Sequence, residues 1–123
     1  MRIDLHAHTQ KCKQGDGEKR KITPEDFVKK MAEQEVKICA ITNHNRFDTE
    51  EFNTIVQLDP NLTIFPGIEL DINFHDERRH GVLVCSPQVV NQFASTFDNE
   101  PERNYDEFIL DYEDRCVRRD QLQ

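Results

Sequence analysis

The chain lacks any run of about 18 apolar residues, the length a membrane-crossing helix requires. A mean hydropathy of -0.80 and 33% charged residues agree with that exclusion. The apolar centre of a signal peptide is also missing, because Asp4, His6 and His8 interrupt the start of the chain. The expected location is the cytoplasm, with no membrane partner. The four cysteines, Cys12, Cys39, Cys85 and Cys116, contain no Cys-x-x-Cys pair, which argues against a zinc ribbon and, in an intracellular composition, against a disulfide framework. Cys39 and Cys85 read as small buried apolar residues. Positive charge is in the minority: 16 Lys and Arg against 24 Asp and Glu leave a net charge of -8 at pH 7. Such a balance disfavours broad electrostatic binding of nucleic acid, although bound divalent metals would offset part of it. No internal repeat or low-complexity tract occurs. The 123 residues, 36% of them hydrophobic, suffice for one domain or part of one, able to bury roughly two thirds of its unfolded surface.

What is present is an ordered succession of strands and helices. The alternation of Ile3, Leu5 and Ala7 with Asp4, His6 and His8 predicts a strand that puts the two sets on opposite faces. A polar loop, 10 to 21, follows, with Lys11, Lys13, Lys19, Arg20 and Lys21 crowded near Cys12; it is either a solvated loop or a contact for an anionic substrate. Thr23 as cap, Pro24 at the first helical position and Glu25 with Asp26 at the positive end of the dipole predict a helix over 24 to 34. Its expected buried stripe is Phe27, Val28, Met31 and Ala32. The β-branched run Val36 to Thr42 predicts a strand buried on both faces and completes a βαβ unit with parallel strands, so that His8 and His44 share the carboxyl edge of a sheet. Asp48 or Thr49 caps a second helix to about Leu58, with Phe52, Ile55 and Val56 facing inward. A third strand, Leu62 to Phe65, is expected to break or bend at Pro66-Gly67 and resume over Ile68 to Phe74, with Glu69, Asp71 and Asn73 on one face. Arg79 to Cys85 returns as an antiparallel partner after a polar turn containing an exposed His75. A short helix from Ser86-Pro87 to Phe97, a linker over 98 to 104 and an acidic amphipathic helix from Tyr105 to about Gln121 complete the chain.

Four of these segments end in, or carry, histidine or carboxylate. His6 and His8 on one face of a strand suit convergence on one metal ion, and Asp4 is placed to orient an imidazole through its second nitrogen. The alternative is chance on the polar face of an edge strand. His44 in Ile41-Thr42-Asn43-His44-Asn45, Glu69 in Pro66-Gly67-Ile68-Glu69 and His80 in Arg79-His80-Gly81-Val82 extend the set. Read singly, each has a bland alternative: a polar residue leading a helix, a solvated strand residue, a hairpin flank. Arg78 and Arg79 are a phosphate clamp or an exposed turn.

Taken in order, these motifs resemble the PHP family, the polymerase and histidinol phosphatase domains, over residues 1 to about 85. The resemblance implies an α/β fold, here a partial distorted β/α barrel comprising the amino-terminal strands and helices, with residues 86–123 as a helical extension of the same domain. It implies two or three divalent ions, zinc, manganese or iron, held by His6, His8, His44, Glu69 and His80, with Asp16 of Gly15-Asp16-Gly17 matching a further ligand at a longer spacing than usual. Asp71 shares the correct face as a supporting group. Asn43 stands where the family usually has aspartate, keeping a hydrogen-bonding oxygen without the charge. The implied reaction is hydrolysis of a phosphate ester, in a small molecule or at a nucleic-acid end, by metal-bound hydroxide. In that scheme His6, His8, His44 and Glu69 act through the metal, and the lysines of the 11 to 21 loop contact phosphate.

No histidine follows His80, whereas the family pattern continues with further histidine and aspartate ligands. The expected explanation is the amino-terminal portion of a longer protein, with completion by self-association or further domains second. Two other functions stay open: a non-catalytic PHP module that binds metal or protein, attached to a larger nucleic-acid-processing or ATPase protein, and a scaffold whose acidic final helix docks on a neighbour.

Overall fold

The computed structural model describes residues 1–9, 22–74 and 77–97, with backbone alone for 72–74 and 77–78. The expected linker and acidic helix beyond residue 97, with Cys116, lie outside the described residues. Strands β1 (Arg2–Ala7), β2 (Val36–Ile41), β3 (Thr63–Phe74) and β4 (Glu77–Val84) form one sheet in sequence order, interleaved with helices α1 (Pro24–Glu33) and α2 (Thr49–Leu58). A single 3-10 turn, Pro87–Val89, then leads into α3 (Val90–Phe97). β1, β2 and β3 are parallel, and β4 returns antiparallel to β3, as the βαβ and hairpin patterns predict. The architecture is a mixed α/β half-barrel. No described helix is long and apolar enough to cross a membrane.

Local chemistry fixes the helix starts. Thr23 accepts the Asp26 amide while the Asp26 carboxylate accepts the Thr23 amide, a reciprocal capping box, and Pro24 occupies the first turn. Asp48 caps α2 by accepting the Glu51 amide at 2.8 Å. The helices bury Phe27 and Met31 from α1, Phe52 and Ile55 from α2, and Phe93 and Phe97 from α3 against Val36, Cys39, Ile41, Ile64 and Ile68 of the sheet. Phe47 joins α2 to α3, edge-on to Phe93 at 4.9 Å. Two stripe positions depart from expectation. Ala32 is exposed, and Val56 is 40% exposed. Each follows a core residue by one position, a rotation of about 100°, which carries it off the packed stripe. Cys39 is fully buried, but Cys85 is only partly so, because it lies just beyond the end of β4.

Pro66-Gly67 does not interrupt β3. Instead the strand changes partner there: Thr63 to Pro66 pair with β2, and Gly67 to Phe74 pair with β4. Pro66 has no amide proton to donate, yet its carbonyl accepts the Cys85 amide at 2.9 Å. Gly67 is squeezed between the neighbouring strands. A Cβ on it would stand 2.8 Å from Thr42 Cγ2, 2.9 Å from the Leu83 carbonyl oxygen and 3.0 Å from that of Ile41. The missing side chain therefore lets three strands meet immediately before Glu69.

Candidate metal centre

The backbone aligns the site before any side chain acts. Beyond the end of β2, Asn43 and Asn45 bracket Glu69: the Glu69 amide donates to the Asn43 carbonyl at 2.9 Å, and the Asn45 amide donates to the Glu69 carbonyl at 2.8 Å. His44 and Glu69 thus become parallel neighbours. Asn45 then turns the chain with φ of 49°, a left-handed conformation that asparagine tolerates better than most residues. On the other side, Asp71 lies directly opposite His80 in the antiparallel ladder, and Glu69 sits one diagonal step away.

β1 delivers its two histidines with an irregular register. Asp4 pairs with Cys39 and Ala7 with Ile41, so β1 takes three residue steps while β2 takes two. The Asp4 carboxylate accepts the His6 backbone amide at 3.0 Å within this irregularity. That replaces the expected role of Asp4 in orienting an imidazole: a carboxylate two residues back reaches the amide that the register shift would otherwise leave outside the ladder.

Four imidazoles form an arc around one buried carboxylate. Successive ring centroids lie 5.1 Å apart from His6 to His8, 5.1 Å from His8 to His44 and 5.3 Å from His44 to His80. Glu69, 4% exposed, stands at the focus. Its Oε1 is 3.3 Å from His6 Nε2 and 3.3 Å from His80 Nδ1; its Oε2 is 3.0 Å from His8 Nε2 and 2.6 Å from His44 Nε2. His80 turns its other nitrogen to Asp71 Oδ1 at 3.1 Å. Five of the six expected ligands therefore converge: His6, His8, His44, Glu69 and His80. Asp16, the sixth, lies outside the described residues, as do Cys12, the basic cluster of the 11 to 21 loop and His75. Arg79 is exposed.

Two groups of ligand atoms separate within this cluster, each with its atoms inside 4.8 Å: His6, His8 and Glu69, and His44, Asp71 and His80. Asp71, expected as a supporting group, thus also stands among the atoms of the second group. The donor set fits divalent cations. Ligands at about 2.1 Å from a tetrahedral or octahedral ion stand about 3.0–3.4 Å from one another, and most of the nitrogen-to-oxygen distances above fall close to that band. Glu69 Oε2 is buried against the ring nitrogens of His8 and His44, and a carboxylate oxygen so enclosed is costly unless a cation, a metal ion or an imidazolium, faces it.

Three supporting residues carry no metal-ligand motif and were not legible as site residues. Asn45 holds the Asp71 side chain, Nδ2 donating to Oδ2 at 3.0 Å, and accepts the Asp71 amide on Oδ1 at 2.9 Å. Thr9 and Glu51, both buried, join Asn43 beneath His8 and His44. The one sequence signal for Asn45 is its type, since asparagine favours left-handed turns; a lone Thr and a helix-leading Glu give none.

A family model described as PHP domain matches residues 4–116. No curated protein matches the chain. Among solved structures, an amidohydrolase from Chromobacterium violaceum, with bound sulfate and no metal, superposes with a TM-score of 0.52 at 18% identity, over 77% of this chain and 33% of that one. The likeness shows a shared fold, and the chain spans about a third of that protein's length. With the family pattern running through 113 of 123 residues (4 to 116 inclusive), and with its histidines and glutamate converging at one sheet edge, the chain belongs to the PHP domain family.

Proposed function

We propose that this chain supplies the metal-holding strands of a phosphoesterase, with Glu69 shared between two cation positions. The observation that carries the reading is the placement of Glu69: each of its carboxylate oxygens faces two imidazoles, and the carboxylate is buried. His6, His8 and Glu69 would hold one ion; His44, Asp71 and His80, with the second oxygen of Glu69 beside His44, would hold another. Divalent ions bound there would lower the pKa of coordinated water and neutralise charge on phosphoryl oxygens. The protein's own contribution is positioning. Glu69 spaces the imidazoles, Asp71 sets the orientation of His80, and Asn45 fixes Asp71. The substrate class is a phosphate ester, in a small molecule or at a nucleic-acid end.

A second reading is a PHP module that binds metal without turnover. It is favoured by Asn43, an uncharged residue where the family usually has aspartate, buried beside His44. One experiment separates the two: elemental analysis of the purified chain together with turnover of an aryl phosphate in added manganese, for the parent and Glu69→Gln. Stoichiometric metal with turnover, both diminished in Glu69→Gln, supports the phosphoesterase. Metal without turnover selects the second reading, and a metal-free chain that stays so in added manganese overturns both.

A further inference from the structure

We propose that Glu51, on α2 and outside the ligand set, is a positioning residue that fixes the direction of a buried hydrogen-bond relay, and through it the separation of His8 and His44. The relay has three members, Thr9 at 1% exposure, Asn43 at 2% and Glu51 at 9%. The Thr9 amide donates to Asn43 Oδ1 at 2.7 Å, Asn43 Nδ2 donates to Thr9 Oγ1 at 2.7 Å, and the Thr9 hydroxyl donates to Glu51 Oε1. Thr9 immediately follows His8, and Asn43 immediately precedes His44. The relay therefore ties together the two strand ends that carry these histidines.

With Glu51 ionised, proton counting fixes the direction. A backbone amide only donates, so the atom of residue 43 facing it must be an oxygen. A carboxylate only accepts, so the single hydroxyl proton of Thr9 goes to Glu51 and its lone pair faces residue 43. The remaining atom of residue 43 must then be a donor, which asparagine provides and aspartate does not. The charge at 51 thus dictates the amide at 43. The surrounding backbone leaves little slack: the Thr42 amide is tied to the Ala7 carbonyl at 2.8 Å, the Glu69 amide to the Asn43 carbonyl at 2.9 Å, and the Glu51 amide to Asp48 Oδ1 at 2.8 Å.

Replacing Asn43 by aspartate while Glu51 stays puts one hydroxyl proton between two buried carboxylates, losing a bond and adding repulsion. Replacing both, Asn43→Asp with Glu51→Gln, reverses the relay without loss: the Thr9 amide and hydroxyl both donate to the carboxylate introduced at position 43, and the introduced glutamine amide donates to Thr9 Oγ1. The inference rests on the reading of His8 and His44 as ligands, and the test separates the two. Manganese affinity by calorimetry and the melting temperature without metal are measured for the parent, Asn43→Asp, Glu51→Gln and the double variant. Supporting groups of metal ligands change affinity about 10- to 100-fold when disrupted, so N43D is expected to weaken manganese binding by that factor and to lower the melting temperature. E51Q loses less, because a glutamine oxygen still accepts the hydroxyl. The double variant recovers both properties to near the parent. An unchanged N43D, or a double variant as weak as N43D, overturns the proposal. Recovery of melting temperature without recovery of affinity also overturns it, reducing the relay to a purely structural tie. A parent that binds no manganese removes the ligand reading, and the positioning role falls with it.

Discussion

Gly67→Ala should destabilise the fold and loosen the candidate metal centre together, because the space for one methyl group is occupied by atoms that cannot retreat independently. The added Cβ would meet Thr42 Cγ2 at 2.8 Å and the carbonyl oxygens of Leu83 and Ile41 at 2.9 and 3.0 Å. Two of the three are backbone atoms, one on β4 and one on β2, so relief requires β3 to shift against both neighbours. Overpacking of this kind costs about 1–3 kcal/mol, and the lack of a flexible side chain at two contacts puts the expected value at the upper end. A chain of 123 residues lies between the sizes for which each kcal/mol lowers the melting temperature by about 4–8 °C and by about 2–4 °C, so a fall on the order of 10 °C is expected. Glu69 lies two residues along the same strand and His44 is its bridge partner, so manganese affinity should fall in parallel. Urea denaturation and calorimetric titration of the same preparation give both numbers. A variant within about 0.5 kcal/mol of the parent, the range of ordinary surface substitutions, would refute the close approach of the three strands.

Asn45→Ala should cost about 2 kcal/mol or more, since it removes two hydrogen bonds to Asp71 and leaves alanine at a φ of 49°; manganese affinity should drop about 10- to 100-fold, and unchanged affinity would show that Asp71 needs no second support. Cys39 provides a pH test. Burial, with the Asp4 carboxylate adding to it, pushes its thiol up from an ordinary 9.0 to about 12. The folded state therefore holds this proton where the unfolded chain releases it, so the stabilisation is complete below pH 9.0 and is lost as pH rises from there toward 12, by up to about 1.4 kcal/mol per pH unit. Cys39→Ala should flatten that alkaline slope in denaturation experiments between pH 9 and 10.5; an unaltered slope would show that the thiol is not held neutral by burial.

The elements and most of the candidate ligands were legible because they depend on short-range periodicity. Thr23-Pro24-Glu25-Asp26 announces α1 through groups within one turn, and alternation over Ile68 to Asp71 places Glu69 and Asp71 on one face whatever their neighbours do. His6, His8, His44, Glu69 and His80 were legible for the same reason, as polar residues on one face of a strand pattern or just beyond it. The errors arise where a neighbour overrides the local pattern. Pro66-Gly67 reads locally as a break or a bend; the strand runs on through it, and it marks the point where β3 exchanges a parallel partner for an antiparallel one. Asp4 reads as a partner for an imidazole, but a register shift between β1 and β2 turns it to a backbone amide.

The sequence by itself determined the α/β alternation, the capped helix starts and the histidine and carboxylate types carried on or just beyond each strand, since these follow from backbone conformation and residue chemistry within a few positions. Tertiary structure decided which of those groups meet. Glu69 becomes a shared carboxylate because Asn43 and Asn45 clasp its backbone from another strand, Asp71 enters the centre because register sets it opposite His80, and Thr9, Asn43 and Glu51 become one relay across separations of 34 and 42 residues. Those relations depend on which strands lie side by side, which no local periodicity encodes.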